Sequence, residues 1–553
     1  MKDSAFKPGV TAQRLYLVAP AFVLLGFVWM CLANRLSPVL AADFLFNLTR
    51  YSEPEFLTFD ELVEVSKNLN PAGPLREKLR KLWTTPVISN EAYYRGARPK
   101  THQDNRLGSF MRVATWNIEK SFHIEDARIA FTDPNGYRRL MDPDKASPAS
   151  EEYREAVEQQ ALLADADVIL LQEMDIGVKR SGYVDAARTL AEALDMNYAY
   201  GPEYLEVDPA YLGIETIALE EGSHDQEAMD YYVVDQTRYK GVFGSAVLSR
   251  YPIKSVTVFP LKNQGYDWYH GEKERLTFFE ESRRFGAKTI FSSALHREIK
   301  VGNRILMRVD LSVPGLPEDT LTVINIHLEI KCLPKARDAQ IQEILQYIRP
   351  IKHPVIMAGD FNSAPGDLSP TSVLREMKRK AKDPTVWFTE GVRQLAPNAL
   401  LVNATRTVSN VTKNFQNPTA RHIPVIAPNE TSKLFKSIEN FRFDDGTAFD
   451  FRGDASRSVK GKDGYLSNAN QRDRLGYKTT FELRRTIAEV IGKYRLDWVF
   501  VKSFLKDPRD TKSLYRFSPH FGRTLEEMNT ILKTQISDHH PNIVDLPFDE
   551  PVL

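Results

Sequence analysis

The sequence predicts a layered α/β protein, and three observations carry that prediction. From about residue 110 onwards, short apolar runs typical of strands alternate with runs at helical spacing. Several strand-like runs are apolar at successive positions, which indicates that both faces of those strands are covered. The chain has 553 residues, of which 42% are hydrophobic and 26% charged. This composition is globular and allows several domains, or one large domain with additions.

The predicted elements follow in chain order. Seven runs are predicted strands: "MRVATWNI", "DVILLQEM", "GSAVLSRYPI", "DTLTVINIHLEI", "HPVIMAGDFN", "YRLDWVFVK" and "HPNIVDL". Helices are expected at Glu151 to Ala166, Val184 to Leu194 and Lys335 to Tyr347. We place one domain at 110–548, with a loop-like insertion near 395–475, because that range is polar and shows little periodicity.

An apolar segment near the N-terminus predicts a transmembrane helix. "LYLVAPAFVLLGFVWMCLA" has no charge over its 19 residues, Leu15 to Ala33, close to the roughly 20 that a helix needs to cross the hydrocarbon core. A cleaved secretory signal is the alternative, but its apolar core is typically about 7–15 residues long. Basic residues are slightly more frequent before the segment than after it, which favours a cytoplasmic N-terminus at 1–14 and the remainder on the non-cytoplasmic side.

Residues 34–109 are predicted to form a helical stalk and linker. "TFDELVEVSKNL" begins with Thr58 and has Glu61 three positions later, the spacing of a capping box. A second helix is predicted in "LREKLRKLW", Leu75 to Trp83. The polar segment that follows is rich in helix breakers, so we expect a domain boundary near Ser109.

Charge and cysteine content exclude some classes of protein. Lysine plus arginine and aspartate plus glutamate number 73 each, so no global field indicates nucleic acid or an anionic membrane as the partner. Cys31 and Cys332 are the only cysteines. The protein therefore has no disulfide framework.

Polar side chains interrupt or end the buried strands. They are Asn117, Glu173, Asn325, His327, Asp360, Asn362, Asp497, Asp538 and His539. Burying one such group without a partner costs about 1–3 kcal/mol, and a typical domain has a net stability of only about 5–15 kcal/mol. We therefore expect these groups to satisfy one another, water or a cation at a shared site.

The residue types limit the chemistry of that site. Glu173, Asp538 and the amide oxygen of Asn117 are hard ligands suited to Mg²⁺ or Mn²⁺. No cysteine is among them, which argues against a structural zinc site. His327 and His539 can donate to a phosphoryl oxygen or transfer protons. The set fits metal-assisted phosphoester hydrolysis.

At these residues the chain resembles the endonuclease/exonuclease/phosphatase superfamily, which includes deoxyribonuclease-I-like nucleases. The motifs "TWNIE", "LLQEMD", "INIHLE", "AGDFNSAP", "RLDWVFV" and "SDHHP" occur in the family's order. The resemblance implies a four-layered sandwich in which two packed mixed β-sheets are flanked by helices, with a single cleft at the strand ends.

The resemblance also implies a role for each residue. Glu173 looks like the main metal ligand, with Asn117 beside it and Asp538 completing the shell. Asp360 looks like the residue that orients or deprotonates the attacking water, and Asn362 like its phosphate-positioning neighbour. His539, oriented by Asp497, and His327 would flank the scissile phosphate, and either Asp360 or His539 is the base. We also assign Asn325 and Arg180 to substrate binding, with a solvated loop as the alternative for Arg180.

The function expected is therefore that of a membrane-anchored, Mg²⁺- or Mn²⁺-dependent phosphohydrolase. A nuclease-like phosphodiesterase acting on nucleic acid is favoured. The alternatives are a sphingomyelinase-like phospholipase acting on a lipid head group and an inositol-phosphate phosphatase. An alternative of another class is a membrane-tethered binding protein without turnover, which would not need all of the metal, base and histidine positions.

Overall fold

The computed structural model describes most of the chain beyond the N-terminal segment. The described residues are 48–209, 211–214, 233–272, 299–363 and 431–550, except 454, 460, 462–469, 471, 474–475, 488–490, 508 and 511. The chain divides into two compact units, 1–48 and 49–553. The transmembrane helix predicted at 15–33 lies outside the described residues. No helix within the described ranges is long and apolar enough to cross a membrane.

Two mixed β-sheets organise the second unit. The described strands are β1 (Tyr51–Ser52), β2 (Val87–Ser89), β3 (His102–Asp104), β4 (Gly108–Asn117), β5 (Val168–Ile176), β6 (Asn197–Glu206), β7 (Val242–Ser249), β8 (Ile253–Pro260), β9 (Tyr266–Asp267), β10 (Gly271–Glu272), β11 (Lys300–Gly302), β12 (Ile305–Ser312), β13 (Thr320–His327), β14 (Val355–Asp360), β15 (Arg472–Asp473), β16 (Gly476–Tyr477), β17 (Phe481–Ile487), β18 (Ile491–Tyr494), β19 (Asp497–Lys502), β20 (Phe504–Leu505), β21 (Tyr515–Arg516), β22 (His520–Thr524) and β23 (Asn542–Pro547). The first sheet has the order β1-β2-β6-β7-β5-β4-β23-β22, with β11 also paired to β6 and β3 to β4, and the second has the order β19-β14-β13-β12-β8.

Helices cover the outer faces of both sheets. Within the described ranges the α-helices are α1 (Phe59–Lys67), α2 (Gly73–Thr84), α3 (Glu91–Tyr94), α4 (Ile124–Thr132), α5 (Pro134–Leu140), α6 (Glu151–Ala164), α7 (Ala186–Leu194), α8 (Pro334–Ile348), α9 (Ser432–Asn440) and α10 (Glu527–Thr530). Short 3₁₀ helices lie at Glu119–Ser121, Lys179–Ser181, Pro317–Asp319 and Ala455–Arg457. Each predicted strand and each of the three predicted domain helices has a counterpart in these elements.

Three apolar clusters separate the layers. The cluster between the sheets combines side chains such as Val113 and Leu170 of the first sheet with Val323 and Ile356 of the second. A second cluster joins the outer face of the first sheet to its helices, and a third joins the outer face of the second sheet to α8 and α9. Both faces of the central strands are therefore buried, as their continuous apolar runs predict. The expected architecture of two mixed sheets flanked by helices is confirmed.

Residues 49–109 of the predicted stalk are part of the second unit. Its capping box forms as predicted, since Thr58 Oγ1 accepts from the Glu61 backbone N–H and Glu61 accepts from the Thr58 N–H. However, β2 pairs with β6, β3 pairs with β4, and the apolar faces of α1 and α2 lie in the core of the first sheet. Residues 49–109 therefore belong to the same unit as the domain predicted at 110–548, and the units do not divide near Ser109.

The predicted insertion also contains ordered core structure. Residues 364–430 lie outside the described residues, but α9 follows them and buries Leu434, Phe435 and Ile438. The ring of Phe435 packs on Trp498 of β19, with 4.7 Å between ring centroids. The helix escapes detection from composition because three apolar positions at helical spacing are diluted by the polar residues around them.

Candidate functional site

The site lies where strands of both sheets end side by side. Strands β4 and β5 run parallel in the first sheet, and β13 and β14 run parallel in the second. Parallel strands present their carboxyl ends at one edge, and β19 enters that edge antiparallel to β14. This topology brings together the ends of chain segments that are far apart in the sequence.

Strand register places three polar residues side by side on neighbouring strands. His327 pairs with Asp360, and Asp360 pairs with Asp497. Side chains of paired residues project from the same face of a sheet. Gly359 allows the close approach of β13, because its φ is +137° and a Cβ there would lie 2.1 Å from the Ile326 carbonyl oxygen.

His539 is the most strongly oriented side chain of the site. Its Nδ1 lies 2.8 Å from Asp497 Oδ2, and its Nε2 lies 3.9 Å from Asp360 Oδ2. Its backbone carbonyl accepts hydrogen bonds from Trp116 Nε1 and Asn529 Nδ2. Burial acts to lower the pKa of His539, but the charge and hydrogen bond of Asp497 outweigh it and hold that pKa well above its ordinary value.

Asp360 lies between the two histidines of the site. Its Oδ1 accepts from the Asn362 backbone N–H at 2.7 Å, and its Oδ2 accepts from Asn117 Nδ2 at 3.2 Å. The Nε2 atoms of His327 and His539 are each 3.9 Å from Oδ2. Burial raises the pKa of Asp360 above its ordinary value, with His539 acting in the opposite direction.

Glu173 reaches the site through a β-bulge. Between Leu171 and Met174 the register of β5 against β7 shifts, and Glu173 has a left-handed φ of 60°. Its side chain is 21% exposed, and its Oε1 lies 3.7 Å from His327 Nε2. Burial acts to raise the pKa of Glu173, but the side chains that face it, above all His327 and Lys120, lower it to about 2. Glu173 is therefore an anion over the whole physiological range.

Asn117 connects the two carboxylates of the site. Its Nδ2 donates to Glu173 Oε1 at 3.3 Å as well as to Asp360, while its Oδ1 accepts from the Glu119 backbone N–H at 3.0 Å. Its predicted metal-binding oxygen thus faces the backbone. Asp538 directly precedes His539 in the same loop, and its backbone N–H donates to Glu119 Oε2 at 3.1 Å.

His327 has partners that sequence reasoning missed. Its Nδ1 lies 2.6 Å from Arg304 Nη1 and 3.4 Å from Glu203 Oε2. Arg304 and Glu203 are themselves paired at 2.7 Å, and both are buried. The sequence gives only a weak signal for these two partners. Glu203 and Arg304 are charged residues in or beside the strand-like runs "GPEYLE" and "NRILMRV", and nothing in those runs indicates which residue each one contacts.

Two predicted substrate-binding residues have other roles in the structure. Asn325 is buried between the sheets, where its Nδ2 donates to the carbonyl oxygens of Leu171 and Ala246. The guanidinium of Arg180 pairs with Asp175 at 2.7 Å and with Glu206 at 2.7 Å. Both side chains hold the scaffold together, because their polar atoms are used in buried contacts. For Asn362, Nδ2 donates to the Leu328 carbonyl oxygen at 2.9 Å, which fixes the turn after β14.

A second group of metal-type ligands lies near the same loop. The ligand atoms of Glu482, Glu526 and His540 lie within 4.8 Å of one another. The Glu482 backbone N–H donates to the Asp538 carbonyl oxygen at 2.7 Å, and Lys478 Nζ lies 3.8 Å from Glu526. These contacts connect β17 and the start of α10 to the segment that carries His539.

Comparison with known proteins adds a family match. The model of the "Endonuclease/Exonuclease/phosphatase family" matches residues 114–539. No curated protein matches the chain. Similar solved structures include an endonuclease/exonuclease/phosphatase from Beutenbergia cavernae DSM 12333, at 16% identity over 79% of this chain and 72% of that chain with a TM-score of 0.31. The human Nocturnin catalytic domain with bound sulfate is 12% identical over 79% and 94% of the two chains, with a TM-score of 0.31. A family protein from Bacteroides thetaiotaomicron is 12% identical over 80% and 98%, with a TM-score of 0.33.

Proposed function

Since the chain belongs to the endonuclease/exonuclease/phosphatase family, we propose that it is a divalent-metal-dependent phosphoester hydrolase, of the nuclease-like phosphodiesterase type. The observation that carries the proposal is the placement of Asp360 between two imidazoles, one of which is oriented by Asp497. A binding protein without turnover would not need a buried carboxylate–histidine pair beside a second carboxylate.

The donors at the mouth of the site fit a hard cation. Glu173 offers an anionic oxygen that is partly exposed, and Asp538 would complete the shell. Asn117 would join them by turning its carboxamide over, which exchanges the Glu119 contact for the cation. Mg²⁺ or Mn²⁺ bound here would polarise the phosphoryl group and offset its negative charge.

Different side chains of the protein transfer the proton, orient the water and bind the phosphoryl group. Asp497 accepts the Nδ1–H of His539 and thereby directs Nε2 towards Asp360. Nε2 can then take a proton from the attacking water or return it to the leaving oxygen. Asp360, fixed by the Asn362 N–H, orients that water. His327 faces the same space and donates to a phosphoryl oxygen.

We also propose that the apolar segment 15–33 anchors the protein in a membrane as a single-pass helix, with the hydrolase on the non-cytoplasmic side. The support is its uncharged length of 19 residues. This segment is also the observation that favours the second candidate function, a sphingomyelinase-like phospholipase, because an anchored cleft would act on lipid head groups at close range. Protease protection of tagged termini in sealed vesicles tests the orientation.

A substrate panel tests the proposed function. The full-length protein in detergent is assayed on single-stranded DNA, duplex DNA, RNA, sphingomyelin and inositol phosphates, with Mg²⁺ and with EDTA. Metal-dependent cleavage of nucleic acid supports the phosphodiesterase. Cleavage of sphingomyelin alone contradicts it and supports the phospholipase. Binding without turnover of any substrate would exclude hydrolysis and favour the tethered binding protein.

A further inference from the structure

A buried arginine makes direct contact with one of the two histidines of the site. His327 Nδ1 lies 2.6 Å from Arg304 Nη1 and 3.4 Å from Glu203 Oε2, so the arginine is its nearer neighbour. Arg304 Nη1 also donates to Glu203 Oε2 at 2.7 Å. The exposed fractions of the Arg304 and His327 side chains are 4% and 2%. The contact is therefore shielded from water.

The chemistry of a guanidinium decides the direction of this hydrogen bond. Every nitrogen of the arginine head group is a donor, and none accepts. Nδ1 of His327 must therefore supply the lone pair, and a second N–H at Nδ1 would oppose the N–H of Arg304. Resting on the proposed function, we infer that Arg304 is a positioning residue that holds the single ring proton of His327 on Nε2.

That placement gives His327 a defined part in the reaction. Nε2 is buried, with no hydrogen-bond partner among the described residues, and lies 3.7 Å from Glu173 Oε1 and 3.9 Å from Asp360 Oδ2. An N–H fixed at this point is a donor for a phosphoryl oxygen that gains charge in the transition state. His539 is arranged in the opposite way, because Asp497 binds its Nδ1–H. One imidazole is thus a fixed donor, and the other transfers the proton.

Further contacts keep Arg304 in this orientation. Its Nε lies 3.5 Å from Glu329 Oε2, and the same carboxylate accepts from Tyr204 Oη at 3.0 Å and Trp268 Nε1 at 2.9 Å. The guanidinium also lies over the Tyr204 ring at 5.3 Å. Two carboxylates, those of Glu203 and Glu329, therefore contact the guanidinium from two sides and fix its orientation towards His327.

Nitrogen-15 NMR of the histidines tests the inference without relying on activity. Full-length protein labelled at histidine is measured at pH 8, and the His327 signals are assigned by their loss in His327→Gln. We expect a pyridine-like Nδ1 and a pyrrole-like Nε2 in the wild type. In Arg304→Met, Glu203 becomes the neighbour of Nδ1, so the proton should move to Nδ1. Arg304→Lys retains a donor and should restore the wild-type pattern.

Kinetics separate a positioning role from a merely structural one. In Arg304→Met we expect kcat on the cleaved substrate to fall about 10²-fold, as when one transition-state donor is lost, with KM little changed and partial recovery in Arg304→Lys. The matched control is Arg112→Met, which removes a buried guanidinium in the middle of β4 that is paired with Asp545 and should leave kcat per folded molecule unchanged.

Three results would overturn the inference: an Nδ1–H or doubly protonated ring in the wild type, an unchanged tautomer in Arg304→Met, or the same loss of kcat in Arg112→Met. If Arg304→Met does not fold, the wild-type and Arg304→Lys spectra decide the matter. A wild type that has the Nε2–H tautomer but hydrolyses no substrate contradicts the proposed function and leaves the proton placement intact.

Discussion

Replacing Glu173 by glutamine should remove both activity and stabilisation by metal, because the change removes the charge and retains the volume. The side chains around this carboxylate, above all His327 and Lys120, lower its pKa from 4.5 to about 2. A shift of that size corresponds to about 3 kcal/mol of favourable interaction at neutral pH, at about 1.4 kcal/mol per pKa unit. The side chain is 21% exposed, so we reduce the expected loss to about 2 kcal/mol.

Two measurements check this prediction. In EDTA, urea unfolding followed by circular dichroism should show the variant destabilised by about 2 kcal/mol. At 100 times the dissociation constant, Mg²⁺ should stabilise the wild type by about 2.7 kcal/mol and Glu173→Gln far less. Hydrolysis should fall at least about 10²-fold. Because the folded pKa is lowered, the stability that Glu173 contributes is present above about pH 4.5 and is lost as the pH falls towards 2.

The matched control is Glu482→Gln, which removes a carboxylate from the neighbouring group of metal-type ligands. We expect this variant to keep both the Mg²⁺ stabilisation and most of the activity. If Mg²⁺ stabilises Glu173→Gln as much as the wild type, or if Glu482→Gln alone loses the effect, Glu173 is not the metal ligand. Unchanged turnover in Glu173→Gln would refute its catalytic placement as well.

Three further predictions follow from individual contacts. Asp497→Asn should lower the pKa of His539 and reduce kcat about 10²-fold or more, with the pH–rate profile shifted towards acid; an unshifted profile would show that His539 does not titrate in catalysis. His102 pairs with Asp167 at 3.0 Å, and that hydrogen bond raises the pKa of His102. The stabilisation that His102 contributes is complete below about pH 6.5 and is lost as the pH rises through the raised pKa. Urea unfolding of His102→Asn should therefore lack this pH dependence. If the dependence persists in the variant, it comes from another group. Phe435→Ala should lower the free energy of unfolding by about 3–5 kcal/mol, and a loss below about 1 kcal/mol would show that α9 is dispensable.

The sequence predicts the parts of this molecule whose signals are local. Continuous apolar runs mark the central strands, and the Thr58–Glu61 spacing predicts a capping box that forms. Asp360 and His539 could be recognised because each interrupts an apolar run or lies in a short motif. The partners of these residues could not be identified in this way, because Arg304 reaches His327 only through sheet register and side-chain packing.

The same reasoning explains why the sequence predicts substrate binding by Asn325 and Arg180. Each is a polar residue near a motif, and the sequence does not show whether such a residue faces the cleft or the interior. Alternation along β13 places Asn325 and His327 on one face, but that face meets the first sheet over most of its length and opens only at the strand end. Asn325, which bonds the two sheets together, therefore lies only two positions along the strand from His327, which faces the candidate site.

The β-bulge of β5 interrupts the regular alternation of side chains along that strand and changes the direction of Glu173. Two residues, Gln172 and Glu173, lie opposite the single residue Ser245 between the paired positions on either side. Gln172 points between the sheets, where its Nε2 donates to Asn325 Oδ1 at 2.7 Å. The extra residue then turns Glu173 away from the sheet interior and towards His327, at the cost of a left-handed φ that a non-glycine residue rarely adopts. Without the bulge, the regular alternation of side chains would not turn Glu173 towards His327. The bulge therefore places the anionic carboxylate of Glu173 at the edge of the two sheets where the candidate site lies.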